Sequence, residues 1–327
     1  MQVEPPPAPA AGTSRTVRAA AKRARGTRPE LPELSGQMAR GYWNGAPAGA
    51  GGAPGRNYTR PPMATVTFLS DYGIDDDFVG VCHGVIARIA PDVRIIDITH
   101  GIARHEVRSG ALVLARSLAY MPAGVHLAVV DPGVGSDRRA VALRCAGHEG
   151  RILVGPDNGL LSLAARRYGG VAEAVDVGSS ELGLRPTSAS FHGRDVFAPV
   201  AGHLASGTPL AQAGEPLDPV ELVTLDLPRA HVAGSGLVAH VLHADRFGNV
   251  MLDAEPEDLD ASGLRSSGAV IVNGVRAEHT ATFADVPPGG LLLYEDSYGA
   301  LSLAINRGSA LDALGLEIYA RVQISSA

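Results

Sequence analysis

Beyond residue 64 the chain alternates short apolar runs with apolar positions at helical spacing. The run 65–69 (TVTFL) reads as a buried strand that ends at Ser70-Asp71-Tyr72-Gly73. Val81, Val85, Ile86 and Ile89 then mark a helix over 78–90, which Pro91 stops. A second strand over 93–98 ends at Thr99-His100-Gly101, and a second amphipathic helix covers 107–120. A third strand, 125–130, runs into Asp131-Pro132-Gly133-Val134-Gly135. The runs 141–145 and 151–154 form a hairpin pair, 160–168 is helical, and a last helix covers 196–205. Past residue 220 the texture changes to short strands at 220–225, 236–244, 250–252, 269–272 and 291–294, separated by Gly, Pro and Asp. The pattern predicts an α/β N-terminal domain with a central, mostly parallel sheet, followed by a smaller C-terminal all-β, barrel-like domain. The expected boundaries are 1–62 for a tail, 63–218 for the α/β domain and 219–327 for the barrel.

The tail is different in kind. Residues 1–62 are rich in Pro, Ala, Gly and Arg and poor in bulky apolar side chains, so they are expected to be disordered. A solvated tail, translated sequence ahead of the true start and an Arg-rich targeting leader are the competing readings. Met63, directly before the first strand, is a candidate start. The tail holds nine basic and three acidic residues, leaving the remainder at −12 when the whole chain carries −6. An acidic body argues against nucleic acid as a partner. No apolar run is long enough to span a membrane. Cys82 and Cys145 sit among apolar or small neighbours and read as core residues, which suits a cytoplasmic location.

Candidate chemistry gathers at strand ends, where open α/β sheets bind ligands. In the first domain these positions are Asp71, Asp76, His100, Asp131, Arg138, Asp157 and Asn158. Asp71 is placed to chelate a ribose diol, or to cap a helix. The acids 75–77 either hold a metal or complement the helix dipole. Asp131, Arg138 and His192 either hold and activate a water molecule or serve as an ion pair and a loop histidine. His100 and His105, spaced H-x4-H, match no zinc motif, and no metal is expected. In the second domain Phe247 is suited to stack on a base and Asn249 to read an amino-purine edge. Ser297, Tyr298 and Asn306 add hydroxyl, aromatic and amide groups. Together with Asp71 they suggest a nucleoside held between domains.

Taken in order, the motifs S-D-Y-G (70–73), D-I-T-H (97–100), V-D-P-G-V-G (130–135), P-D-N-G (156–159), F-H-G-R-D (191–195), D-R-F-G-N (245–249) and N-R-G-S-A (306–310) make the chain recognisable. It resembles the S-adenosyl-L-methionine (SAM) hydroxide adenosyltransferases, or SAM hydrolases, relatives of the fluorinating and chlorinating enzymes, from about residue 65 to 322. The resemblance implies an α/β domain, a C-terminal β-barrel and a homotrimer with sites between subunits. It implies hydrolysis of SAM to adenosine and L-methionine, with SAM as substrate and no cofactor. The family's catalytic Asp-Arg-His triad falls on Asp131, Arg138 and His192, and its ribose-binding acid on Asp71. Its adenine- and methionine-contacting positions fall near Phe247, Asn249, Ser297 and Asn306. The halogenating relatives carry a tyrosine in place of Asp131 and a small residue in place of His192, so a halide-dependent adenosyltransferase is the second reading. A SAM- or adenosine-binding sensor is a third, and a metal-dependent phosphohydrolase a fourth.

Overall fold

The computed structural model describes residues 65–147 and 149–327; the expected tail and the candidate start at Met63 lie outside the described residues. The first half is one seven-stranded sheet with helices on both faces. Its elements are β1 (Thr65–Ser70), α1 (Phe78–Ile89), β2 (Arg94–Thr99), α2 (Val107–Ser117), β3 (Val125–Val129), β4 (Ala140–Cys145), β5 (Ile152–Pro156), α3 (Ser162–Arg167), β6 (Val171–Asp176), α4 (Ala198–Ala205) and β7 (Glu215–Leu217). The strand order is β2-β1-β3-β5-β4-β6-β7, with the first four parallel and the rest antiparallel.

Alternation along the strands sorts the core into two layers. Val66 and Phe68 of β1 pack toward Cys82 and Ile86 of α1 and the buried face of α4. Leu69, Ala128 and Leu153 pack toward α2 and α3 on the opposite face. Strands buried on both faces read as near-continuous apolar runs, which is why they stand out in the sequence. Cys82 and Cys145 are buried free thiols, each pushed up to about 12 by burial.

The second half is a closed barrel, made by β8 (His231–Ala233), β9 (Gly236–Ala244), β10 (Val250–Leu252), α5 (Pro256–Ser262), β11 (Ala269–Val272), β12 (Val275–His279), β13 (Leu291–Glu295), β14 (Leu301–Ile305), α6 (Ala310–Ala313) and β15 (Arg321–Ser326). Seven strands follow one another as β10-β14-β13-β12-β11-β15-β9, and β10 pairs with β9 to complete the circle. Leu237, Val241, Val250, Val270, Leu293, Leu303 and Ile324 fill the interior. A barrel this small is packed with side chains and leaves no channel. Leu242 of β9 joins the α/β core instead. Beside it Arg116 of α2 donates from Nη2 to Nε2 of His243 (3.2 Å).

The segment 220–225, expected as a strand, is not one. It opens in a 3-10 turn at Pro219–Glu221, where Glu221 N–H donates to Asp218 O (3.0 Å) and Leu222 N–H to Pro219 O (3.3 Å), and then donates to side chains rather than to a neighbouring strand: Val223 N–H to Asp157 Oδ1 (2.8 Å) and Leu225 N–H to Ser162 Oγ (3.1 Å). Leu225 packs directly over Gly159, which adopts φ +95° and leaves no room for a Cβ. The last helix also starts earlier than its periodicity predicts, through a π-helical turn at Gly193–Phe197.

One buried polar link in this sheet sets the response to acid. His126 of β3 is fully buried; Arg151 donates to its Nε2 (3.1 Å), so Nδ1–H is free to donate to Thr67 Oγ1 (2.8 Å). Burial, and then the charge of Arg151, push His126 down to about 3. An unfolded histidine titrates near 6.5. The unfolded chain therefore takes up a proton that the native state refuses, so stability present above pH 6.5 is lost as pH falls toward 3. Between pH 6.5 and 5 this site should cost about 2 kcal/mol. Urea midpoints measured across that range should fall for the wild type and fall less for His126→Gln; a flat wild-type profile would contradict the assignment.

Candidate active site

Strand β3 delivers Asp131 at its carboxyl end, and the loop after it folds back. Val134 N–H donates to Asp131 O (3.3 Å) and Ser136 Oγ to Gly133 O (2.7 Å), and Arg138 N–H donates to Ser136 Oγ (3.3 Å). This tight loop returns Arg138 onto Asp131. Nε donates to Oδ1 at 2.8 Å and Nη2 donates to Oδ2, a two-pronged pair. Both side chains are largely buried, 10% exposed for Arg138 and 7% for Asp131. The guanidinium also lies over the ring of Phe197, 5.2 Å from its centre.

The third group arrives from far along the chain. His192 precedes the π-helical turn, and Arg138 Nη2 donates to its Nδ1 at 3.1 Å. An arginine has no lone pair to offer, so His192 Nδ1 is the acceptor and Nε2 carries the proton. Burial holds His192 below its usual range; Arg138 lowers it further, and Asp131 opposes both. The imidazole is thus neutral near pH 7. The motif that carries it is anchored by Asp195, which is almost fully buried and takes two bonds from Arg194 (2.6 and 2.9 Å) and one from Ser188 N–H (2.7 Å). Gly193 fits because the Tyr72 hydroxyl occupies the space its Cβ would need.

Asp131 and His192 line one wall of a cavity of about 270 Å³, together with Asp71 and Asp76. The cap of α1 is Asp77, so Asp71 does not cap that helix. Its Oδ2 accepts from His105 N–H (3.0 Å). Tyr72, Phe78, Arg104, His105, Val134 and Phe191 complete the lining. Of these, sequence reasoning singled out only His105, and that as a metal-ligand candidate, although Tyr72 follows Asp71 directly and Phe191 precedes His192. The rings of Tyr72, Phe78 and Phe191 pack against one another with centres 5.0–5.8 Å apart, so one side of the cavity is an aromatic wall.

Phe247, Asn249, Ser297, Tyr298 and Asn306 line a second cavity, of about 920 Å³, built mostly by the barrel half, with Arg116 of α2 also in its wall. Asn249 Nδ2 donates to Asp245 Oδ2 (2.8 Å) and Asn306 Nδ2 to Val286 O (2.7 Å), which fixes both amides. Tyr298 is clamped between Arg116 and Tyr120. No residue lines both cavities. Asn158 lines neither: its Nδ2 donates to Val130 O (2.9 Å) and its Oδ1 accepts from Leu160 N–H (3.1 Å), which pins the backbone ahead of Asp131. His100 and His105 part company as well, since only His105 reaches the first cavity.

The arrangement can hold a water molecule between a neutral imidazole N–H and a carboxylate, beside an acid placed for a diol. Comparison with known proteins identifies the family. Residues 66–214 match the family model described as the SAM hydroxide adenosyltransferase N-terminal domain, and residues 239–323 match the C-terminal domain of the same family. The chain is 46% identical over 265 residues to the (R)-S-adenosyl-L-methionine hydrolase of Salinispora tropica, covering 81% of this chain and 99% of that protein. It is 31% identical to the fluorinase of Nocardia brasiliensis over 82% of this chain and 98% of that one. Among solved structures, an uncharacterized conserved protein from Thermotoga maritima superposes with TM-score 0.73 at 35% identity, over 80% of this chain and 99% of that chain.

Proposed function

The chain belongs to the SAM hydroxide adenosyltransferase family, and on that footing we propose that it hydrolyses SAM to adenosine and L-methionine through Asp131, Arg138 and His192. The observation that carries this reading is the hydrogen-bonded, partly buried Asp131–Arg138–His192 cluster at the wall of the first cavity. The sulfonium makes C5′ of SAM electrophilic and methionine a neutral leaving group. Water sits with its oxygen taking the His192 Nε2–H and one hydrogen directed at Asp131, and attacks C5′ in line with the departing sulfur. The C–O bond forms as the C–S bond breaks, the sulfur keeps the electron pair, and the proton of the developing oxonium passes to Asp131. An oxonium is a strong acid, so a carboxylate paired with Arg138 is base enough. Arg138 holds the Asp131 carboxylate in place and His192 in one tautomer, and positioning supplies much of the rate. Asp71 takes the ribose diol, with Asp76 beside it.

The adenine and methionine contacts of Phe247, Asn249, Ser297, Tyr298 and Asn306 lie in the other cavity of the chain. We therefore place each complete site between two subunits of a homotrimer, the α/β cavity of one closed by the barrel cavity of the next. Ile74 (84% exposed) and Phe247 (69% exposed) are large apolar side chains left uncovered on a single chain, as such an arrangement requires. No described helix is long and apolar enough to cross a membrane. The buried free thiols suit a reducing, cytoplasmic compartment.

A halide needs a desolvated pocket rather than a proton acceptor, so retention of both Asp131 and His192 favours water. Chromatography of the protein incubated with SAM in halide-free buffer should give adenosine and methionine, with no change on adding chloride or EDTA. A 5′-halo-adenosine formed only with halide would overturn the proposal, as would bound SAM without turnover.

A further inference from the structure

A second cluster of potential ligands lies behind the β1–α1 connection, outside both cavities. His83 projects from α1, Asp97 from β2, and His100 from the turn after β2. Their side-chain donor atoms all fall within 4.8 Å of one another. His83 Nε2 lies 2.9 Å and His100 Nε2 3.1 Å from the same oxygen, Asp97 Oδ1. These separations match the edges of a coordination polyhedron as well as they match hydrogen bonds. His100 separates the two possibilities. It is 7% exposed, and its Nε2 has no hydrogen-bond partner, because the Asp97 oxygen lies off the axis along which a ring N–H would point. Its other nitrogen, Nδ1, is held at 2.7 Å by Ser70 Oγ. A buried imidazole with one nitrogen fixed by a hydroxyl and the other facing two further ligands is the usual setting of a metal-bound histidine.

We propose that His83 Nε2, His100 Nε2 and a carboxylate oxygen of Asp97 form a three-ligand site for a divalent cation of the zinc class, with water as the fourth ligand. Two imidazoles and one carboxylate suit a borderline ion better than magnesium or calcium, which prefer oxygen. The set carries one negative charge with both histidines neutral, so a divalent ion leaves it at +1. Binding at His83 Nε2 requires that nitrogen's lone pair, so the ring changes tautomer, its proton moving from Nε2 to Nδ1 through solvent with no net proton loss. The side chains of His83 and Asp97 are 32% and 42% exposed, which opens a path for the ion. Ser70 precedes Asp71, and Gly73 N–H donates to His100 O (2.8 Å), so a bound ion ties α1 and β2 to the loop that carries the candidate ribose acid. It takes no part in the proposed hydrolysis.

The test uses the full chain stripped with EDTA and titrated with zinc alone, then with cobalt(II). The expected result is one zinc per chain, a rise of several degrees in melting temperature, and the intense visible bands of a four-coordinate cobalt site. His83→Gln and Asp97→Asn should melt with the stripped wild type while losing about 100-fold or more in zinc affinity, beyond the 10–100-fold cost of disturbing a ligand's supporting partner. Absence of stoichiometric binding would overturn the proposal. So would zinc affinity unchanged in both variants, which would place the ion on other groups.

Discussion

Replacing His192 with alanine should lower kcat by about 10²–10³-fold, the range typical of losing one preorganised hydrogen-bond donor at the reacting centre, while SAM still binds. The side chain is the donor that presents water to C5′ in the proposed mechanism. Because Arg138 occupies Nδ1, the acting atom is Nε2–H, and the role is orientation. His192→Gln, which retains an amide N–H donor, should therefore recover part of the loss. Asp131→Asn removes the proton acceptor and should not be rescued in the same way. The pH profile follows from the same geometry. Protonated His192 would set an Nδ1–H against the guanidinium and break the cluster. Its titration is held below the usual histidine range by burial and by Arg138. Turnover should rise with pH through a point below 6.5 and stay level above it. Steady-state kinetics across pH checks both statements; a rate still climbing between pH 7 and 8 would point to a different titrating group.

Arg138→Met should be the most damaging single change, because it strands a carboxylate in a buried site. Removing one partner of a buried ion pair costs about 3–5 kcal/mol, more than the pair itself contributes. Catalysis should fall with it, since Asp131 and His192 both lose their anchor. The double variant Asp131→Asn/Arg138→Met separates the two effects. The methionine can lie over the Phe197 ring where the guanidinium lay, and the neutral amide no longer needs a counter-charge. Most of the stability should return while turnover stays absent. Urea unfolding of the four proteins completes the cycle. Strictly additive losses would mean that the two side chains do not act as a pair.

Much of the α/β half was legible in the sequence because burial on both sheet faces makes β1, β3 and β5 nearly continuous apolar runs. Short, half-covered strands were less so. β6 (VAEAVD) alternates small and charged residues, and its contribution to the sheet depends on β4 beside it. The segment 220–225 failed in the opposite direction: VELVTL is as apolar as a strand, but a 3-10 turn takes its first donors and Asp157 and Ser162 take those of Val223 and Leu225. Alternation reports which side chains face inward and says nothing about what the backbone bonds to. The candidate site divides likewise. Asp131 and Arg138 are seven residues apart on one loop, and their pairing is local. His192 lies 54 residues beyond Arg138, and its place was indicated by resemblance to a family, not by spacing. Asn158, chosen because it ends a strand, spends both ends of its amide on the backbone. The nearness of His83 to Asp97 depends on how α1 lies against β2, which no motif records.

The division of the candidate binding groups between two cavities with no lining residue in common has a genetic reading. If each site joins the α/β face of one subunit to the barrel face of the next, a null allele at His192 and a null allele in the barrel cavity damage different halves. A cell expressing both alleles would assemble mixed trimers. By random assortment about a quarter of the junctions would unite two intact faces. Two alleles, each silent alone, would then complement one another within a single gene, and the activity restored would come only from proteins assembled out of both.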